Sequence, residues 1–586
     1  VDIVASPKPE NHQKWISYLF HPRARFAPPS NPIGPVELLV LALYAALAAW
    51  GIWHHVNWAD EAQSWLIASN STLHDLLFRR LHYEGAPALW PLLLFVLSRL
   101  HVPYTGINWV GGSFALAGIF IWLRFSPFPR IFRWLIPFSF FLQYQFAVIA
   151  RPYVFFPLLL FALCVVVSRE RPRPLAFAVI AGLMTNISIH AAVIAGIFAL
   201  LYLQRLLSLR SALPVAVSGK KILASAALFS VFAFASAAVA FPPPDSAFVV
   251  DGATSTGPVH AVLLKVLSEE RLPATAPPLD PPIRIPDAPV TPQGWSRLLL
   301  FSVKTLILGA NSLTYPIARS NLLALMFLGL LIVFLWSRRC LRLTLPFVAS
   351  ILFSVQVWVY DHHTGMFLLA LVAALWIAFS TSAQSRGPRW TSPAFSAAGL
   401  LVLLLQIGWT VHTLHVETYA PYDPGRETAE FLISHYTGKR IAGFSYENVS
   451  TQAYAPRNLF YNQQVPYWVW SNKVLIDRRR TEALAGHPDV IVTGVFINQP
   501  EVIFNQWTPI LSTTRNTYSG MLRFWEDHGY RVTHIFCGNH WTRMGSANTT
   551  CEDILEPAPA PVPATSSPVR PAVPPTPARP AHAPQP

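Results

Sequence analysis

The sequence predicts an α-helical polytopic membrane protein of about 11 transmembrane helices plus interfacial helices, with a small C-terminal α/β domain outside the cytoplasm. Three observations predict it. Hydrophobic residues make up 53% of the chain and charged residues only 12%, where soluble domains run near a quarter charged. So much apolar surface exceeds what one water-soluble core can hide, and it must face lipid. The apolar residues fall in runs of about 20, the length that crosses a hydrocarbon layer of about 30 Å. The basic residues gather in short clusters between those runs, where they report orientation. The formal net charge of +14 therefore speaks of topology. Nucleic-acid binding would want a basic stripe with interleaved aromatics, and none is present.

Residues 1–34 are polar and proline-punctuated, without the pattern of a signal peptide, and read as a cytoplasmic segment before an uncleaved anchor. Spans are expected near 35–56, 105–123, 131–149, 152–168, 175–190, 191–208, 221–241, 320–337, 343–360, 364–381 and 393–412. The stretch 86–100 is short for a span, and 297–313 is interrupted by Lys304 and Asn311; both read as interfacial helices. With a cytoplasmic N-terminus, the inside loops carry Arg124, Arg130 and Arg133, then Arg169, Arg171 and Arg173, then Arg205, Arg210, Lys220 and Lys221, then Arg338, Arg339 and Arg342, then Arg386 and Arg389. The short outside loops hold few positive charges, among them Arg79, Arg80, Arg99 and Arg151, so charge and segment count agree.

The membrane domain thus covers 35–412, with a first outer loop at 57–104 and a Pro-rich outer stretch at 242–319. Residues 413–556 read as the outer α/β domain. Arg426–Tyr436 forms an amphipathic helix, Arg440–Tyr446 and Asp489–Phe496 form buried strands, and Leu522–Gly529 forms a short helix before Tyr530–Phe536. Residues 557–586 are mostly Pro, Ala and Ser and bury too little to fold. Of the cysteines, Cys164 lies in an apolar run and Cys340 in a basic loop. Cys537 and Cys551 lie in the outer domain, where an oxidising compartment permits a disulfide. The parity of the spans puts the N-terminus in the cytoplasm and the C-terminal domain beyond it, as in a bacterial inner-membrane protein.

The segment with most chemistry follows the first span, Asn57-Trp58-Ala59-Asp60-Glu61-Ala62-Gln63-Ser64-Trp65. Carboxylates at a membrane edge are costly against lipid and are functional candidates. The bland alternative makes Asp60 the N-cap of a helix over 61–69, with Glu61 in its first turn. Next comes His82-Tyr83-Glu84-Gly85-Ala86-Pro87, where Pro87 suits a helix start and Glu84 precedes it at the membrane surface. A third segment, Gln143-Tyr144-Gln145-Phe146-Ala147-Val148-Ile149-Ala150-Arg151-Pro152-Tyr153, ends the third span.

Asp-Glu after the first span, Glu-x-x-Pro opening an apolar interfacial helix, a basic loop and then Arg-x-Tyr together resemble the GT-C superfamily of membrane glycosyltransferases. That superfamily includes protein O-mannosyltransferases, aminoarabinose transferases acting on lipid A, and many bacterial relatives. The similarity covers residues 35–210 best. It implies transfer of a sugar from a polyprenyl-phosphate carrier to a lipid, glycan or protein acceptor outside the cytoplasm. One departure stands out: Gln145 lies near the place where many relatives carry a second acid, which puts that acid's role in doubt here. The superfamily has metal-free and metal-using members, so a divalent cation stays open, and no other cofactor is implied.

The residues' own chemistry agrees. Inverting sugar transfer needs a carboxylate to take a proton from the acceptor hydroxyl, and Asp60 is assigned that role, with Glu61 or Glu84 orienting it. A lipid-phosphate leaving group needs a cation, for which the bidentate Arg151 suits; an interfacial snorkelling arginine is the alternative. Tyr83, Trp65, Tyr153, His190, Arg319, His362 and His363 are expected near the same plane as further substrate contacts. Each has a packing role as its bland reading. Asp361-His362-His363 is a weak metal signal. Tyr461 and Tyr467-Trp468-Val469-Trp470 form an aromatic cluster that holds a glycan or polypeptide, or is simply core. Two other functions compete: a flippase or transporter of lipid-linked sugars, and a non-catalytic membrane scaffold. The absence of an internal repeat and the gathering of polar residues at one edge weigh against a transporter.

Overall fold

The computed structural model describes residues 32–212, 218–243, 246, 309–310, 313–318, 320–356, 361–380, 391–470, 485–496, 525–541 and 547–559. The Pro-rich stretch expected at 242–319 and the tail at 557–586 lie mostly outside the described residues.

Helix α1 (Pro35–His54) starts where Pro35 presets the first turn and Glu37 accepts the Gly34 N–H at 3.2 Å. One face of α1 buries Tyr44, Ala48 and Ile52, while Leu38, Leu39, Trp50 and Trp53 on the others stay exposed, as a lipid-facing helix requires. There follow α2 (Ala59–Ser69), α3 (Leu89–Arg99), α4 (Ile107–Phe125), α5 (Arg130–Leu135), α6 (Phe155–Val167), α7 (Pro174–Thr185), α8 (Ile189–Ala212) and α9 (Gly219–Ala240). Beyond these lie α10 (Asn321–Ser337), α11 (Leu345–Gln356), α12 (Asp361–Ser380) and α13 (Thr391–Val416). Among the described residues, six helices are long and apolar enough to cross a membrane: α1, α4, α8, α9, α12 and α13. The chain is a membrane-embedded helical protein. The remaining apolar helices, at 89–99, 152–167, 174–185, 321–337 and 341–354, have only 10–17 residues. Length and composition therefore support six spans and leave the larger count open.

The run expected to cross at 131–149 is not one helix. α5 gives way to a 3-10 turn at Ile136–Phe138, then to a π turn at Phe141–Gln145. Pro137 removes a backbone donor and clashes with the preceding turn, which ends the α-helix there. The Arg133 carbonyl, left without the donor that Pro137 lacks, accepts the Trp122 indole N–H at 2.9 Å, and α1 holds the segment beyond: the Tyr44 hydroxyl donates to the Leu142 carbonyl at 2.8 Å, and the Gln143 side chain donates back to the Tyr44 carbonyl at 3.2 Å. Close approach makes room for this segment. A Cβ on Gly51 would stand 2.7 Å from Val148, and one on Gly112 would stand 3.2 Å from the Ala147 carbonyl. A buried ion pair, Arg133 to Glu37 at 2.9 Å, ties α5 to the start of α1.

The polar end of the chain folds as an α/β unit. Helix α14 (Gly425–His435) and helix α15 (Asn448–Tyr454) accompany strands β1 (Ile441–Gly443), β2 (Val490–Phe496), β3 (Tyr530–Trp541) and β4 (Ala547–Pro557). The sheet order is β1-β2-β4-β3, with β1 and β2 parallel and the other pairs antiparallel. Alternate residues fill its two faces: Ile441, Val490, Val492 and Ile554 pack on one side with Leu432, and Ala442, Ile491 and Leu555 on the other with Trp525. Cys537 and Cys551 are cross-strand partners joined by a disulfide. The expected helix and strands lie within a few residues of their places, but β4 was not expected. Its sequence, Ala-Asn-Thr-Thr-Cys-Glu-Asp-Ile-Leu-Glu-Pro, is too polar to read as a strand.

Candidate functional site

A short non-helical link at His55–Trp58 follows α1, and α2 then begins with Trp58 as its N-cap. Asp60 is therefore not a cap, as the bland reading had it, but a first-turn residue. Successive helical residues point about 100° apart, and this separates the acids. Glu61 turns inward and is fully buried. Its carboxylate accepts the Trp58 N–H at 3.2 Å, the Asn108 amide at 2.9 Å and the Ala150 N–H at 2.6 Å, and meets His55 Nε2 at 3.0 Å. The other ring nitrogen of His55 lies 3.1 Å from Glu417, which also accepts the Tyr144 hydroxyl. An imidazole donates from both nitrogens only as the cation, so His55 bridges two buried carboxylates. Glu61, expected to orient Asp60 or to be a first-turn acid, is the hub that joins α1, α2, α4 and, through His55, the end of α13.

Asp60 turns outward. Its side chain keeps 26% exposure and that of Arg151 16%, and the two form an ion pair. The second Asp60 oxygen accepts the Tyr446 hydroxyl at 2.5 Å. Arg151 is held between the rings of Trp58 and Tyr153, at 5.4 and 5.7 Å. Burial works against the Arg151 charge, but the Asp60 carboxylate outweighs it and its pKa is raised. Glu84 is half-buried, and Gln63 donates to it at 2.7 Å. Burial pushes the Glu84 carboxyl up to about 8, the Asp60 charge adding to this and the Gln63 hydrogen bond opposing it. Burial and the Asp60 charge likewise raise the Tyr446 hydroxyl.

Tyr446 comes from the loop between β1 and α15, so the α/β unit supplies part of the site. It is held against α2 by further bonds. The Asn57 N–H donates to the Tyr454 hydroxyl at 2.9 Å, and the Gln63 side chain exchanges bonds with the Trp468 backbone at 2.7 and 2.9 Å.

Asp60, Glu84 and Arg151 are thus brought together, as expected. Other predicted contacts are not. Trp65 is buried in the core beside Tyr104. The Tyr153 hydroxyl meets His363 Nε2 at 2.8 Å, and His363 stacks on His190 at 4.0 Å. All three are buried, and Tyr153 links the two histidines to Arg151, whose guanidinium lies 5.7 Å from its ring. Tyr83 is half-buried in the turn before Glu84. Arg319 and the His362 side chain lie outside the described residues. Among the described residues no group of three or more His, Cys, Asp or Glu side chains is placed to hold a metal. Sequence reasoning missed His55, Asn108, Tyr446 and Glu417. The rule that picked Asp60 would also have found Glu417, an acid at the end of the last span. No local signal marks Tyr446, which lies 386 residues from its partner.

No protein-family model matches the chain, and no curated protein matches it.

Proposed function

We propose that the chain is a membrane glycosyltransferase that moves a sugar from a polyprenyl-phosphate carrier to an acceptor hydroxyl on the non-cytoplasmic face, with Asp60 as general base. The observation that carries this reading is the placement of Asp60. It is a solvent-reachable carboxylate in the first turn of α2, just beyond the end of α1, paired with an arginine and close to a second carboxyl group.

In the proposed reaction the acceptor hydroxyl gives its proton to Asp60 as its oxygen bonds to the anomeric carbon. The bond from that carbon to the phosphate oxygen breaks, and its electron pair leaves with the polyprenyl phosphate. The negative charge that grows on the phosphate is stabilised by Arg151, which exchanges Asp60 for the phosphate. Glu84, protonated below about 8, donates a hydrogen bond to a sugar oxygen. The GT-C resemblance supports the same chemistry on the same residues.

A flippase would use the broken segment at 136–145 to line a polar path. Tyr44 and Gln143 fill that break and are fully buried, which argues against it. The test is incubation of the purified protein with radiolabelled polyprenyl-phosphate hexoses and pentoses. Release of free polyprenyl phosphate, dependent on added acceptor, is expected. Transbilayer movement of the intact donor without bond cleavage would show the flippase instead.

A further inference from the structure

The α/β unit brings aromatic rings to the same junction that holds the carboxylates. Tyr446 lies 4.9 Å from Trp470, centroid to centroid, with the planes tilted by 45°. Trp468 stands edge-on to Tyr446 at 6.3 Å and lies 6.2 Å from Trp470. Their exposures differ. Trp468 is only 7% exposed and is the anchor, whereas Tyr446 and Trp470 are half-buried and keep surface.

Two tethers tie this aromatic wall to the carboxylates. One is the Tyr446 hydroxyl on Asp60. The other runs from the Trp468 backbone through the Gln63 side chain to Glu84. A ligand at Asp60 therefore meets carboxyl groups from α2 and the turn before α3, and a hydroxyl and ring faces from the α/β unit.

We infer that Tyr446 and Trp470 form a stacking platform for a carbohydrate ring whose hydroxyls face Asp60 and Glu84. A sugar has both surfaces the junction asks for. Its axial C–H groups carry slight positive charge and suit the negative face of an indole, and its hydroxyls both donate to and accept from carboxyl groups. A peptide would need apolar pockets or a strand edge for its backbone, whereas the described side chains gathered at Asp60 are charged, hydroxyl-bearing and aromatic. The inference deepens the glycosyltransferase reading, and rests on it only in calling the bound sugar an acceptor.

The test is saturation-transfer NMR on the full chain in lipid nanodiscs, with neutral hexose tetrasaccharides as probes and Ser/Thr tetrapeptides for comparison. The tetrasaccharides, and not the peptides, are expected to saturate. Trp470→Ala is expected to weaken tetrasaccharide binding about tenfold, and Trp470→Phe, which keeps a ring face, to recover most of it. The recovery separates lost stacking from a damaged fold. Saturation of the peptides in place of the sugars, equal tetrasaccharide binding by wild type and Trp470→Ala, or no saturation by any probe overturns the platform. Binding through Trp470 without sugar transfer from any polyprenyl-phosphate donor would leave the platform standing and overturn the enzymatic reading instead.

Discussion

Glu61 and Asp60 sit one residue apart in α2 and meet different solvents. Glu61 is enclosed by His55, Asn108 and backbone donors with no exposed surface, while Asp60 shares a partly open junction with Arg151 and Tyr446. The buried hub draws its hydrogen bonds from the ends of α1 and α13, from α4 and from the Tyr144–Ala150 segment. The open site draws a partner from the α/β unit. An acid held on every side is suited to fixing helix positions, and one with remaining surface is suited to exchanging partners. The comparison separates a carboxylate enclosed by protein from a neighbour that keeps surface, and the proposed chemistry rests on the second.

Breaking the hub should give the largest effect. Glu61→Leu leaves the His55 cation with one carboxylate, and removing one member of a buried ionic group costs about 3–5 kcal/mol. The expected result is a sharp loss of folded protein on size exclusion and a much lower melting temperature. A variant that melts like the wild type would show that the hub is dispensable.

Tyr446→Phe probes the link between the two parts of the chain. It removes one hydrogen bond to a charged group, worth about 1.5–3 kcal/mol, or roughly 10–100-fold in transfer rate. The α/β unit should stay folded, since Tyr446 lies outside its sheet cores. Transfer should slow while the protein stays folded, with melting lowered by no more than the lost hydrogen bond accounts for; wild-type transfer by the variant would show that the bond is dispensable.

Glu84→Gln sharpens the comparison by pH. The Glu84 carboxyl has its pKa raised from 4.5 to about 8 in the folded chain. The folded state therefore keeps a proton that the unfolded state has lost between these values. Its contribution to stability falls as pH rises through that window and levels off above it. Turnover should decline above about pH 8 in the wild type. Glu84→Gln, unable to ionise, should lack that alkaline limb and show a flatter stability profile. An alkaline limb that persists unchanged would assign it to another group.

The smallest effect is expected at Arg80, whose 2.8 Å pair with Asp75 is partly exposed. Arg80→Ala should shift stability by less than about 1 kcal/mol in chemical denaturation. A larger loss would mean that its contact with the Tyr467 ring at 5.4 Å matters to docking of the α/β unit.

Apolar composition marked the helices well, because lipid and protein core both select it: α3 lies at 89–99 against an expected 86–100. Composition does not distinguish a straight span from a broken one. The fracture after α5 was therefore invisible except through Pro137, and span number could not be read from run length alone. The acids at the membrane edge were legible as anomalies, but which faced inward depended on where α2 starts, and Trp58 is an unusual N-cap. Tyr446 and Trp470 depend on how a distant unit docks, and no periodicity carries that. β4 escaped because its inward acid, Glu552, is buried on bonds from Asn448 and Thr451 rather than on apolar character.

The central claim is that Asp60, and not its neighbour, takes the acceptor proton. The most direct measurement is single-turnover sugar transfer from a labelled polyprenyl-phosphate donor by Asp60→Asn protein whose melting temperature matches the wild type. The account predicts a loss of about 10²–10⁴-fold with donor binding retained. Wild-type turnover by the folded variant would contradict it.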